Sequence, residues 1–231
     1  MLPWQLRDAL AKRPVAYVPL GTLEWHGEHL PVGLDALTAH GLCLRAAMID
    51  GGVVLPALHY GTGGGHGAYP WTIMMPQADQ IKAQLDFSIT KLKAFGFKQV
   101  VLFSGHFPDE QLAMIDRLAA ARSDAAFKIL ATAINRIEGL ALKPDHAGMF
   151  ETTLLAAMWP NLVQLDRLPS LEDAPLKDAD VWEQGRHDPK HPIWGVVGPD
   201  PRRFQVNEAA GLLEASVGWL VQQVRGRVGK I

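Results

Sequence analysis

Apolar positions along this chain alternate between two patterns. Short, nearly unbroken apolar runs recur at "PVAYVPL" (14–20), at Val53–Leu55, in "KQVVLFSGH" (98–106) and in "FKILATAI" (127–134). Runs of that length, rich in Val, Ile and aromatic residues, predict strands buried on both faces. Between them lie longer stretches with helical spacing. Ile81, Leu85, Ile89, Leu92 and Phe95 recur three or four apart and predict an amphipathic helix within 77–97, closing near Gly96. Residues 35–50 and 109–124 have helical composition, 146–160 reads as a loop turning into a helix that Pro160 stops, and 207–228 reads as a last helix. Strands alternating with helices predict right-handed βαβ units. The expected fold class is therefore α/β, a mostly parallel sheet flanked by helices on both faces. From Pro160 to Pro201 seven prolines and two tryptophans interrupt any period, which predicts an irregular Pro-rich arm over about 160–203. The Trp and Pro content of that arm suits subunit contacts better than a cofactor site. No repeat or clean linker divides the chain, so a single domain over 1–231 is expected.

Composition narrows the function classes. Twenty-two Lys and Arg face 24 Asp and Glu, for a formal net charge of −2, so the basic surface that nucleic-acid backbones demand is missing. Cys43 is the only cysteine; it permits no internal disulfide and reads as a small core residue of a protein in a reducing compartment. "MLPWQLRDALAKRP" carries charges inside its first apolar run, unlike a signal peptide, and no run is long enough to span a bilayer. A soluble, cytoplasmic protein with neither nucleic-acid nor membrane partners is expected.

The candidate chemistry lies at the strand exits. "GTLEWHGEHLPVGLD" (21–35) puts three acids and two histidines directly behind the first strand. His59 and His66 follow the second strand, His106 the third, and Asp145, His146 and Glu151 the fourth. In a doubly wound sheet the carboxyl ends of the strands share one edge, so these groups would converge in one crevice. One cysteine excludes a thiolate zinc site. Carboxylates with imidazoles suit catalytic Zn or Mn, with Fe as a further option, as one or two ions. Glu24 and His26 stand two apart, which in extended backbone places both on one face. Asp35 lies beyond a Pro-Gly turn that folds the loop back, and its short carboxylate is a plausible bridge. His29, His59 and His66 read as structural or pocket-lining rather than ligating. "GTGGGH" lacks the lysine and following helix of a phosphate loop, and the first strand is not followed by a dinucleotide-binding glycine pattern.

Five ordered motifs between about 14 and 215 resemble the creatininase (creatinine amidohydrolase) family: "PLGTLEWHGEHLPVGLDALTA", "GHGAYPWTI", "LFSGHFPDEQ", "DHAGMFETTLLAAMWP" and "GVVGPDPRRFQVNEAAGLL". The resemblance implies that Glu24, His26, Asp35 and His106 are metal ligands, with Asp35 bridging, and that Glu151 completes the site. It implies that His146 donates a proton to the departing nitrogen. The implied activity is metal-dependent hydrolysis of a non-peptide amide C–N bond in a small cyclic amide or formamide, by a hexameric α/β/α enzyme. Glu151 is also counted with His146 among the catalytic residues. Tyr69, Trp71, Phe107 and Asp145 are the candidate substrate contacts. The third motif departs most: Pro108 stands where a metal-binding glutamate occurs in the family, leaving Glu151, or a shifted Asp109 or Glu110, or a single-metal site. That departure supports a second reading, a metal-binding but non-catalytic relative acting as a ligand sensor or structural subunit.

Overall fold

The computed structural model describes residues 1–176 and 185–227. Its main sheet has four strands in the order β2-β1-β5-β6: β1 (Val15–Leu20), β2 (Val53–Val54), β5 (Gln99–Ser104) and β6 (Lys128–Ala133). Every pairing is parallel. Three helices provide the crossovers: α2 (Leu34–Asp50), α3 (Ala78–Ala94) and α4 (Asp109–Arg122). The expected mostly parallel α/β sheet is what the chain forms.

Alternation along the strands decides which helices cover which face. Val15 and Tyr17 of β1, with Val101 and Phe103 of β5, meet Ala39, Leu42 and Cys43 of α2. Phe150 and Leu154 of α5 (Met149–Met158) and Leu220 and Val224 of the C-terminal helix (Val206–Arg227) join the same layer. Ala16, Val18, Val100 and Leu102 point the other way, onto Ile81, Leu85 and Ile89 of α3 and Ile115 and Leu118 of α4. Those α3 residues are the ones whose spacing predicts that helix.

Two features carry little sequence signal. α1 (Pro3–Lys12) has no fully buried residue; Ala9 and Leu10 only pack partly against the core, and the helix is short. β3 (Gly61–Thr62) pairs in parallel with β4 (Met74–Met75) as a separate two-stranded sheet, too short for a period to show. In the arm, 160–162, 165–167 and 201–203 are 3-10 turns, and Trp182 lies outside the described residues. Leu168, Ile193 and Val196 of the arm form a third apolar cluster with Leu30, Leu34, Ala147 and Leu155. Among the described residues no helix is long and apolar enough to cross a membrane.

Candidate metal centre

The chain leaves β1 towards β2 on one side and later returns as β5 on the other, so the exits of β1 and β5 form the switch point where open α/β sheets hold their ligands. The two strands end in register, Leu20 beside Ser104, and each continues into a glycine. Both glycines make room for the first turn of α2. A β-carbon on Gly21 would stand 2.2 Å from Ala36 N, and one on Gly105 would stand 2.1 Å from Asp35 O. That approach seats Asp35 between the strand ends. The loop after β1 folds back as expected, with Glu24 N donating to Val32 O at 2.7 Å and Leu34 N to Pro31 O at 3.0 Å.

α5 supplies the opposite wall. His146 pairs with Val197 as an isolated bridge, and Ala147 takes a φ of +54°. This left-handed alanine is held by its N–H, which donates to Glu151 Oε2 at 2.6 Å, and by a side chain buried in the third apolar cluster.

Asp35 divides its carboxylate between two imidazoles. Oδ1 lies 3.2 Å from His26 Nε2, and Oδ2 lies 3.3 Å from His106 Nδ1. His26 Nε2 is also 3.5 Å from Glu151 Oε2, and His106 Nδ1 is 3.0 Å from Glu24 Oε2. His146 Nδ1 lies 3.8 Å from Glu24 Oε1, the oxygen that His66 Nδ1 also contacts. Three of these rings are tied at their other nitrogen to a backbone carbonyl. His26 Nδ1–H donates to Glu24 O at 2.9 Å, His106 Nε2–H to Thr62 O at 3.2 Å, and His146 Nε2–H to Trp25 O at 3.0 Å. That anchoring leaves the inner nitrogen as the lone-pair side, the arrangement by which proteins orient metal-ligating histidines.

Burial makes the charges matter. Glu24, Asp35 and Glu151 are 1%, 2% and 2% exposed, and burying each unpaired carboxylate would cost several kcal/mol. Burial alone favours neutral rings. It is outweighed at His26 by Glu151, Asp35 and Glu24, and at His106 by Asp35 and Glu24, so both imidazoles are raised to about 10. Burial likewise opposes ionisation of Glu24 and Asp35, but the histidines hold Glu24 well below the usual carboxylate range and lower Asp35 as well. Glu151 is pushed up, first by burial and then by Asp35 and Asp145. His146 is lowered to about 3 by burial and by the charge on His26, so its ring is neutral.

The donor set fits a divalent cation. Glu24, Asp35 and His106 present two oxygens and a nitrogen within 4.8 Å of one another, and His26, His146 and Glu151 present two nitrogens and an oxygen equally close. His26 Nε2 and Asp35 Oδ2 are buried yet make no hydrogen bond, although oppositely charged groups stand close by. Atoms that are near, buried and misaligned for hydrogen bonding suit a shared cation. Asp35 faces both sets, Oδ1 towards His26 and Oδ2 towards His106. Asp109 and Glu110 join neither set; Glu110 packs instead against Gly63.

The candidate substrate contacts divide. A cavity of about 430 Å³ opens onto the cluster, and Phe107 and Pro108 form part of its wall. Trp71 is 79% exposed, at a φ of +58°, and stands outside the cavity lining. Asp145 is also outside the lining: its Oδ2 accepts from Phe150 N at 2.9 Å and its Oδ1 from Glu151 N at 3.2 Å, so it caps α5. Burial raises its pKa to about 7. Tyr69 stands one layer back, stacking on His66 at 5.0 Å with its hydroxyl on Arg186 O. His29 is structural, with Nε2 3.3 Å from Thr152 Oγ1 and a pKa that burial lowers to about 3.

His66, read as structural or pocket-lining, lines the cavity; it also contacts Glu24 and groups with Glu24 and His146. One residue escapes the sequence reading. Arg186 comes from the irregular arm and lines the cavity, with no local pattern to mark it. The arm's aromatic content also packs inward: Trp194 lies 5.6 Å from Trp25 and edge-on to Tyr69.

Comparison with known proteins gives a concordant result. The family model described as creatininase, creatinine amidohydrolase, matches residues 2–224. Creatinine amidohydrolase of Pseudomonas putida is 30% identical over 191 residues, covering 73% of each chain. Mycofactocin precursor peptide peptidase of Mycobacterium ulcerans (strain Agy99) is 28% identical over 176 residues, covering 71% of this chain and 66% of its own. Among solved structures, a manganese form of creatininase superposes with a TM-score of 0.74 at 25% identity, covering 99% of this chain and 97% of its own.

Proposed function

This chain belongs to the creatininase family, and from that premise we propose that it is a metal-dependent amidohydrolase cleaving the C–N bond of a small cyclic amide or formamide. The observation that carries the proposal is the division of Asp35 between His26 and His106 inside a buried acidic cluster. Glu24, Asp35 and His106 would hold one ion, and His26, Asp35 and Glu151 a second. Zn and Mn suit this oxygen and nitrogen set, and a structural relative is a manganese form. A bound divalent ion supplies a water acidic enough to attack near neutral pH and a Lewis-acid contact for the carbonyl oxygen.

The chain's own groups do the rest. His146 Nδ1, neutral and turned into the cluster, takes a proton from the attacking water and delivers it to the departing nitrogen. Its Nε2–H bond to Trp25 O fixes the ring so that Nδ1 is the working atom. Phe107 offers an apolar wall for the substrate. The family reading extends to a soluble, cytoplasmic homo-oligomer; exposed Met48, Ile49 and Phe95 support such contacts.

The second reading, a metal-binding relative without turnover, is favoured by Pro108, which cannot coordinate and which caps α4 beside the site. One experiment separates the two: metal analysis paired with a hydrolysis screen of lactams, ureido rings and N-formyl compounds. Amidohydrolase activity that disappears with the metal in Glu24→Gln supports the first reading. Stoichiometric metal with no turnover across the screen supports the second.

A further inference from the structure

The cavity that meets the metal cluster carries one guanidinium. Arg186, in the helical residues 185–187 of the arm, shares the lining with Glu24, Asp35, Asp109, Glu110 and Glu151. It makes no ion pair with any of them: its guanidinium donates from Nη2 to Gly64 O at 3.0 Å and stands against the Tyr69 hydroxyl, whose pKa it lowers against the raising effect of burial. Its Nε is buried and has no partner. The backbone is pinned too, because Arg186 O accepts the Tyr69 hydroxyl. Gly64 sits within three consecutive glycines whose φ values are +87°, +84° and +70°, a conformation closed to most side chains, so the loop that receives Nη2 is set by its own sequence.

An arginine serving only to offset the acids around it would pair with the nearest carboxylate. This one is held by a carbonyl, and its buried Nε–H is left without a partner beside the cavity it lines. A planar fork with free donors is suited to a carboxylate, which it binds through paired charge-assisted hydrogen bonds. Every other ionisable group on the described wall is an acid or an imidazole, and once a metal has displaced the proton of His106 the guanidinium of Arg186 is the positive side chain left on that wall for an anionic ligand.

We propose that Arg186 is a specificity residue that binds a carboxylate of the substrate, so that the scissile amide belongs to an acidic molecule. This rests on the amidohydrolase reading above. Two sources present the same chemistry, an N-acyl amino acid and the free-carboxylate end of a short peptide. Phe107 and Pro108 provide an apolar surface in the same cavity for a side chain flanking that carboxylate.

The test is calorimetric titration of the manganese-loaded full chain with two matched pairs: N-formylphenylalanine and its primary amide, and glycylphenylalanine and its primary amide. The expected result is that the acid of at least one pair binds about tenfold or more tightly than its amide. The pair showing the preference identifies the source. Arg186→Gln is expected to remove the preference while leaving affinity for the amide and the metal content unchanged. Arg186→Lys, which keeps the charge but loses the fork, is expected to retain part of it. Equal affinities within both pairs, no binding by any of the four compounds, or a preference untouched by both substitutions would overturn the inference. Turnover is read separately. A carboxylate preference without hydrolysis would count against the amidohydrolase reading alone, and hydrolysis without the preference against Arg186 alone.

Discussion

Gly105 lies flat against the backbone of Asp35, so close that a β-carbon at 105 would stand 2.1 Å from the Asp35 carbonyl oxygen. The contact joins the end of β5 to the first turn of α2 and places one carboxylate within reach of two histidines. Neither partner can shift alone, because both belong to packed backbone.

Gly105→Ala should therefore be costly at two levels. The expected loss is about 3 kcal/mol or more of stability, read by denaturant unfolding, together with reduced metal retention. Gly211→Ala is the control. It lies inside the C-terminal helix with nothing within 4 Å of its missing β-carbon, and should gain about 0.5–1 kcal/mol. Equal effects at the two positions would contradict the packing account.

His146→Ala should separate catalysis from metal holding. The variant is expected to keep its fold and its metal while turnover falls by about 10²–10⁴-fold. Loss of metal in step with activity would instead assign His146 to the coordination shell, where its grouping with His26 and Glu151 also allows it.

Metal uptake should be strongly pH-dependent. Without a cation, His26 and His106 are raised to about 10 and hold protons at neutral pH. Each ion must displace the proton on one inner nitrogen, His106 for the first and His26 for the second, so the apparent affinity for each rises by up to about tenfold per pH unit. For the metal-free fold the sign is reversed. The stability contributed by these two charged rings is fully present below the unfolded histidine pKa and is lost as pH rises through about 10. Calorimetry in buffers of differing ionisation enthalpy counts the protons; release of none would contradict the assignment.

Asp145→Ala should behave as loss of a helix cap. Removing the acceptor for Phe150 N and Glu151 N is expected to lower stability by about 1–2 kcal/mol, with metal content retained. Unchanged thermal unfolding would show that the cap carries no weight.

Much of this arrangement was legible in the sequence because it follows from periodicity and strand exits. Ile81, Leu85 and Ile89 announced α3 through their spacing, and the parallel topology alone brings the ends of β1 and β5 together. Glu24, His26, Asp35 and His106 follow from that topology. Trp71 and Asp145 stand outside the cavity lining for a shared reason: position beside a motif does not fix direction. A positive φ turns Trp71 to solvent, and the free N–H groups at the start of α5 draw Asp145 away from the cavity. Arg186 was illegible because an irregular arm has no period from which to infer where a side chain points. His66 could have been read from its place after three glycines, where a strand exit turns back, but a lone histidine in a loop carries no direction either.

The most direct test of the central claim is metal content after manganese or zinc loading and exhaustive dialysis, measured by inductively coupled plasma mass spectrometry on the wild type and on Asp35→Asn. The account predicts about one or two equivalents per chain in the wild type and almost none in the variant, with its fold intact by circular dichroism. A wild-type chain that binds no divalent metal, or an Asp35→Asn chain that binds as much as the wild type, would contradict it.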